Sequence, residues 1–229
     1  MEEIRENWRA LLERIVRAAH SAGRSPEEIG VVAVTKTRTP QEIEAAIRCG
    51  LHLVGENRVQ EAAAKQGQVT LEASWHLIGQ LQTNKAARAV DLFRCVQSVD
   101  SARLARALDR HAAQAERPLE ILIQVNTSGA PQQGGVVPEQ VLELAAALVA
   151  LPHLRLRGLM TIGALSPEER VVRACFARLR QLRDQLACQF PASDWGWLSM
   201  GMSGDFELAI AEGANLLRLG TALFGARQA

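Results

Sequence analysis

Short runs of β-branched and apolar residues alternate with longer amphipathic stretches along the chain, the pattern of repeated strand–helix units on a parallel sheet. The apolar runs at residues 31–35, 51–54, 75–78, 93–96, 119–125, 154–160, 197–200 and 216–219 predict eight strands, the number that closes a TIM-type barrel. Between them helices announce their starts. Thr39-Pro40 opens one that ends at Gly50, Pro138-Glu139 opens another and Ser166-Pro167-Glu168-Glu169 a third, each with proline at or near the first helical position. Ahead of the first strand, Ile4, Trp8, Leu11, Leu12, Ile15 and Ala19 recur at helical spacing and predict an amphipathic N-terminal helix. An open doubly wound sheet would show the same alternation but would carry a glycine-rich first turn, and Val34-Thr35-Lys36-Thr37-Arg38 has no glycine. The fold class read from the pattern is α/β, a single (β/α)8 TIM-type barrel.

No linker, charge block or low-complexity tract divides the sequence, so residues 1–229 are expected to form one domain, a length that α/β barrels reach as a unit. The stretch 128–135, Ser-Gly-Ala-Pro-Gln-Gln-Gly-Gly, reads as a mobile surface loop. With 26 Lys+Arg against 25 Asp+Glu, the net charge of +1 provides no sequence-independent attraction to nucleic acid. Arg170, Arg173, Arg178, Arg180 and Arg183 interleave with Val172, Phe176, Leu179, Leu182 and Leu186 and read as the solvated face of a helix. Cys49, Cys95, Cys175 and Cys188 form no C-x-x-C pair and no zinc spacing, and read as reduced structural thiols. No apolar signal region follows Met1-Glu2-Glu3, and the uncharged, mainly apolar stretch 144–154 is broken by Pro152 and falls short of the roughly 20 apolar residues of a membrane span. These features predict a cytoplasmic protein without nucleic-acid or membrane partners. A monomer is expected, since no apolar helix stripe exceeds the barrel's own needs.

Functional residues of such a barrel stand at the C-terminal ends of strands and in the loops that follow. Those positions hold Lys36 after the first strand, Gly55-Glu56-Asn57 after the second, His76 in the third, Asn126 after the fifth and Thr161 after the sixth. Lys36 follows Val31-Val32-Ala33-Val34, which sets an amine at the mouth of a dry cavity, the setting for Schiff-base formation with an aldehyde or ketone. The structural alternative is a lysine that merely snorkels at a strand end. After the seventh strand, Ser199-Met200-Gly201-Met202-Ser203-Gly204-Asp205 leads into a helix at 206–211, and Arg218-Leu219-Gly220-Thr221 runs from the eighth strand into the last helix. Loops at these two places are the usual phosphate site of the barrel, where glycines allow close backbone approach and helix N-termini favour an anion. Capping by Ser203, Asp205 or Thr221 would account for either loop taken alone. Arg218 requires an acceptor, whether a structural ion pair or a ligand. His76 reads by default as a satisfied core histidine. No histidine sits in an H-x-H or H-E-x-x-H pattern, so a metal site has no support, and no G-x-S-x-G elbow supports a serine hydrolase.

The segments Val34-Thr35-Lys36, Gly55-Glu56-Asn57, Trp75-His76-Leu77-Ile78-Gly79-Gln80-Leu81-Gln82-Thr83-Asn84-Lys85, Gly158-Leu159-Met160, Ser199-Met200-Gly201-Met202-Ser203 and Arg218-Leu219-Gly220-Thr221-Ala222-Leu223-Phe224-Gly225 occur in that order between residues 31 and 227. In them the chain resembles the pyridoxal phosphate homeostasis proteins, the YggS/PROSC family. The resemblance implies a fold-type III barrel like the N-terminal domain of alanine racemase, carrying pyridoxal 5′-phosphate as a covalent aldimine on Lys36. By the same resemblance Ser199, Gly201, Ser203, Gly220 and Thr221 surround the phosphate, Asn57, His76 and Met160 line the ring pocket, and Arg218 faces the pyridine nitrogen. A cation there disfavours protonation of the ring and weakens it as an electron sink. Two positions depart from the family pattern. Arg58 stands where relatives often have an aromatic residue, so ring stacking is not expected there. Gln132-Gln133-Gly134-Gly135 lacks the lysine that relatives often carry before their glycine, so any cofactor release must proceed without it.

The family implies a non-catalytic carrier that buffers pyridoxal phosphate and passes it transiently to apo-enzymes, with an indirect effect on amino-acid and keto-acid balance. The alternative is a pyridoxal-phosphate-dependent amino-acid racemase or similar enzyme of weak activity. Racemisation in this fold resembles a two-base reaction in which a tyrosine from a second domain opposes the lysine, and this sequence contains no tyrosine. A lysine aldolase acting on a sugar phosphate would use the same loops with a Schiff base to the substrate's own carbonyl.

Overall fold

The computed structural model describes residues 1–226. Eight parallel strands close on themselves in sequence order: β1 (Gly30–Val34), β2 (Leu53–Glu56), β3 (Ser74–Leu77), β4 (Cys95–Val99), β5 (Leu119–Gln124), β6 (Leu154–Met160), β7 (Trp197–Ser199) and β8 (Leu216–Leu219), with β8 pairing back onto β1. Helices wrap the outside: α1 (Glu2–Ser21), α2 (Pro40–Arg48), α3 (Val59–Gln66), α4 (Ala86–Leu92), α5 (Ala102–Gln114), α6 (Val141–Val149), α7 (Glu169–Gln189), α8 (Phe206–Ala211) and α9 (Thr221–Phe224). The predicted barrel is the one found. None of the described helices is long and apolar enough to cross a membrane.

Alternation along the strands divides the core. Val96, Ile121, Ile123, Leu159 and Leu198 face outward and pack under the helices, whereas Cys95, Leu122 and Met160, with Ile162 and Trp197, cluster inside the barrel. Both faces of each strand are covered, which is why the strands read as near-continuous apolar runs. The N-terminal helix α1 buries Ile4, Leu11, Ile15 and Ala19 and packs against α8 and α9. Leu12, which the same periodicity placed on the apolar stripe, is exposed instead.

Element starts follow the local signals. Thr39 caps α2 in a reciprocal box, accepting from the Glu42 N–H at 3.2 Å while the Glu42 carboxylate accepts from the Thr39 N–H at 2.8 Å. Two strands begin two residues later than predicted. The Leu51 N–H is held by the Ala46 carbonyl and the Phe93 N–H by the Ala89 carbonyl, so these buried side chains belong to the closing turns of α2 and α4. Gly55 and Glu56 therefore lie within β2, not after it. The arginines of α7 are also less uniform than predicted, since Arg173 and Arg180 hold the buried Glu212 carboxylate at 2.8 and 3.1 Å and tie α7 to the end of α8. All four cysteines are unbridged; Cys95 and Cys175 are buried and Cys188 is exposed.

Candidate functional site

Lys36 stands immediately after β1, half-buried, and opens onto a cavity of about 650 Å³ ringed by the loops at the C-terminal ends of the strands. Asn57, Ser203, Arg218, Gly220 and Thr221 line the same cavity, so six of the ten residues singled out in the sequence converge there. Gly79 permits part of this: a Cβ at that position would lie 2.3 Å from the Asn57 carbonyl, so only glycine lets the β3 loop pass behind Asn57. No Asp or Glu lines the cavity among the described residues, whereas Lys36, Arg38, Arg58 and Arg218 all do. The lining therefore favours an anionic ligand. Among the described residues no group of three or more His, Cys, Asp or Glu is placed to hold a metal.

The other four residues lie outside the cavity lining. Met160 belongs to the cluster inside the barrel. Gly201 is buried with φ +93°, and a Cβ there would meet the Ala209 Cβ at 2.6 Å; its carbonyl accepts from the Arg218 N–H at 3.0 Å. Ser199 and His76 are buried members of a chain of hydrogen bonds that begins at Arg218. The Arg218 guanidinium donates to Ser199 Oγ at 2.8 Å and to the Thr161 carbonyl at 2.7 Å. Ser199 Oγ donates to Gln97 Oε1 at 2.6 Å, and Gln97 Nε2 lies 2.9 Å from His76 Nδ1. With Gln97 Oε1 turned toward Ser199, the hydroxyl that accepts from Arg218 donates to Oε1, Gln97 Nε2 donates onward, and His76 Nδ1 accepts. The imidazole proton then sits on Nε2, which faces Ser74 Oγ at 3.4 Å.

Electrostatics agree with that assignment. Burial, aided by the Arg94 charge, pushes His76 down to about 4, so the ring is neutral at pH 7 and Nδ1 keeps its lone pair. Burial lowers Arg218 to about 10 while Asp205 pulls the other way, and the guanidinium stays charged. Ser203 Oγ accepts from the Ala222 N–H at 3.1 Å at the start of α9, which leaves its own proton for another acceptor. Gln124 is buried on the cavity wall; its Nε2 donates to the Gly134 carbonyl at 2.9 Å, but its Oε1 has no partner among the described residues.

Residues 128–135 form a surface loop, as the sequence predicted, but one held by side-chain hydrogen bonds. Asn126 Nδ2 donates to the Ala130 and Gln133 carbonyls at 2.9 and 3.1 Å, Ser128 Oγ donates to Gln133 Oε1 at 2.7 Å, and Gln133 Nε2 reaches the Gly163 carbonyl at 3.2 Å. Side chains of Asn and Ser supply the bonds a strand would have supplied. The loop is thereby folded over the cavity, which Gln132, Gln133 and Gly134 help to line.

The family model for the alanine racemase N-terminal domain matches residues 1–228. The pyridoxal phosphate homeostasis protein of Pseudomonas aeruginosa is 42% identical over 228 residues, which cover 99% of this chain and 97% of the relative. The chain belongs to the pyridoxal phosphate homeostasis protein family. The Escherichia coli family member is 41% identical, with 99% of this chain and 98% of its own length covered. The structure of PipY from Synechococcus elongatus with pyridoxal phosphate bound superposes with a TM-score of 0.85 at 36% identity, covering 97% of this chain and all of that one. Against the family pattern, Arg58 is exposed at the N-terminus of α3 on the edge of the cavity. Residue 227, the last of the family-like segment, lies outside the described residues.

Reasoning from sequence missed residues that hold the cavity groups in place: Gln97 behind Ser199, Gln124 on the wall, and Lys65, which meets Glu56 beside Thr35. The available signal was polar residues inside otherwise apolar strands, as in Cys95-Val96-Gln97-Ser98-Val99.

Proposed function

We propose that this chain, as one barrel domain over residues 1–229, binds pyridoxal 5′-phosphate covalently through Lys36 and serves as a carrier in intracellular cofactor homeostasis, not as an enzyme. The observation that carries the reading is the convergence of an amine, a buried guanidinium and the two glycine-containing loops after β7 and β8 on one cavity whose described lining holds no Asp or Glu. The residues fit the group. Ser203, Gly220 and Thr221 would hold the phosphate, with Gly201 and Ser199 behind them, and Arg218 would face the ring nitrogen. Asn57 would flank the ring, with Met160 and His76 supporting the site from inside the barrel. Gln124 Oε1 offers a buried acceptor that no donor among the described residues uses. Pyridoxal phosphate supplies an aldehyde and an electron-withdrawing ring; the Lys36 amine adds to the aldehyde carbon and one water leaves.

The carrier reading is favoured over a racemase by what surrounds Lys36. Arg218, held as a cation by Ser199 and the Thr161 carbonyl, opposes a proton on the ring nitrogen. No His, Cys or carboxylate stands among the described cavity-lining residues to serve as a second acid or base. Transfer to cytoplasmic apo-enzymes from a monomeric carrier belongs to the same proposal. The test is the visible spectrum of the purified protein, followed by borohydride reduction and peptide mapping in wild type and Lys36→Ala. A yellow protein whose reduced pyridoxyl group maps to Lys36, with the link lost in the variant, is the expected result. Solvent deuterium exchange at Cα of L-alanine should not exceed the rate with free pyridoxal phosphate. A colourless protein that takes up no added pyridoxal phosphate overturns the proposal and favours the aldolase; rapid exchange favours the racemase.

A further inference from the structure

Both residues that flank Lys36 are gripped by one buried ion cluster that does not line the cavity. Lys65, buried in α3, places Nζ 2.8 Å from the Thr35 carbonyl, 2.8 Å from Glu56 Oε1 and 2.7 Å from Glu61 Oε1. All three donors of the ammonium are thereby used. Glu56, fully buried at the end of β2, also accepts from Thr35 Oγ1 at 2.7 Å, and Glu61 accepts from the Thr37 N–H. Thr37 has φ +65°, a left-handed conformation that a β-branched residue adopts only under constraint. The backbone is therefore fixed through its carbonyl just before Lys36 and through its N–H just after.

An amine held between two carboxylates is a costly way to fill this space, since apolar packing generally stabilises a fold as well or better. What the cluster adds is direction: from α3 it bonds both the Thr35 carbonyl and the Thr37 N–H, with Glu56 of β2 holding the Thr35 hydroxyl, and it holds a strained turn between them. We infer that Lys65, Glu56 and Glu61 are positioning residues that set where the Lys36 amine stands in the cavity, and that the saturation of Lys65 keeps this second amine from competing for a ligand carbonyl. The inference rests on the reading of Lys36 as the attachment point. A displacement of about 1 Å at a reacting group can cost on the order of a hundredfold in rate, whereas a ligand that cannot react with the amine should hardly register it.

The test compares pyridoxal phosphate with pyridoxine 5′-phosphate, which has a hydroxymethyl group in place of the aldehyde and binds without reaction. In Lys65→Met, covalent uptake of pyridoxal phosphate, followed by visible absorbance and by borohydride trapping on Lys36, should slow about tenfold or more, while pyridoxine phosphate affinity stays within about twofold of wild type. Glu61→Gln, at a less buried position of the cluster, keeps an acceptor for the Thr37 N–H and removes only the charge; it should slow uptake by about threefold and decides the matter if Lys65→Met does not fold. Lys65→Arg should restore part of the rate. Unchanged uptake in the folded variants overturns the inference, as does an equal loss for both ligands, which would mark general damage to the cavity. Failure of the wild-type protein to form the Lys36 link would instead overturn the proposed function itself.

Discussion

Lowering the pH from 7.5 to 5 should destabilise the protein through one buried side chain, His76. In the folded state the imidazole stacks near Trp197, with ring centroids 6.0 Å apart, and accepts from Gln97 through Nδ1. Its pKa lies at about 4, against about 6.5 for the unfolded chain. The unfolded state therefore binds the proton first, so the histidine's contribution is fully present above pH 6.5 and is lost progressively as the pH falls toward 4. At pH 5 the loss is about 2 kcal/mol, growing to about 3 kcal/mol at pH 4. Glu56 and Asp205, whose carboxyl pKa values are raised by burial, act in the opposite direction as acid is added, so wild type alone does not isolate the histidine. The informative quantity is the difference between wild type and His76→Asn, in which the amide oxygen replaces Nδ1 as acceptor and nothing titrates at that site. Urea unfolding at both pH values should show wild type losing about 2 kcal/mol more than the variant. Losses that agree within about 0.5 kcal/mol, below what linkage to a proton shift of this size predicts, would refute the buried neutral imidazole and with it the order of donors traced from Arg218.

Three further outcomes follow from the same contacts. Gln97→Leu leaves Ser199 Oγ without its acceptor and His76 without its donor in the interior, and should cost about 2–5 kcal/mol, read as a fall of roughly 5–15 °C in Tm by circular dichroism. A cost under about 1 kcal/mol would mean that the chain of bonds does not act as a unit. Gly201→Ala forces a side chain into φ +93° and against Ala209, and should lower the urea midpoint by the equivalent of about 1–3 kcal/mol; an unchanged midpoint would refute the steric argument. Thr39→Ala removes the reciprocal cap of α2 and should cost about 1 kcal/mol, most of which Thr39→Ser should recover.

The barrel was legible because strands covered on both faces print their positions as apolar runs. The bounds of β6 and β8 agree with the predicted runs, while β2 and β4 shift because Leu51 and Phe93 are apolar for a different reason, packing as the helices before them close. Periodicity reports burial and not which backbone carbonyl accepts an N–H, so a buried residue between helix and strand is assigned to either. The bonds that hold the surface loop 128–135 were not legible for a related reason. Its Gly, Pro, Ser and Gln content speaks of turns, but the bonds that pin it come from Asn126, Gln133 and the distant Gly163 carbonyl.

The cavity was legible where its chemistry depends on local backbone, as with Ser203, Gly220 and Thr221, and illegible where it depends on side chains meeting across the barrel. Gln97 and Ser199 are 102 residues apart, and Lys65 reaches Thr35 over 30. Taken singly, Gln97 is an ordinary polar residue in a strand and Lys65 an ordinary lysine in a helix. The barrel changes what each implies, because every inward position faces the inward positions of seven other strands. A buried donor such as Arg218 in β8 must find acceptors there, and once the eight strands are placed, the search narrows to inward polar residues near its level. Ser199 and Gln97 meet that condition, two residues along their strands from Trp197 and Cys95, which face the interior. Residues that orient a buried cation can thus be found from strand parity once the closed topology is accepted, and Gln97→Leu tests that reasoning as much as it tests the contact.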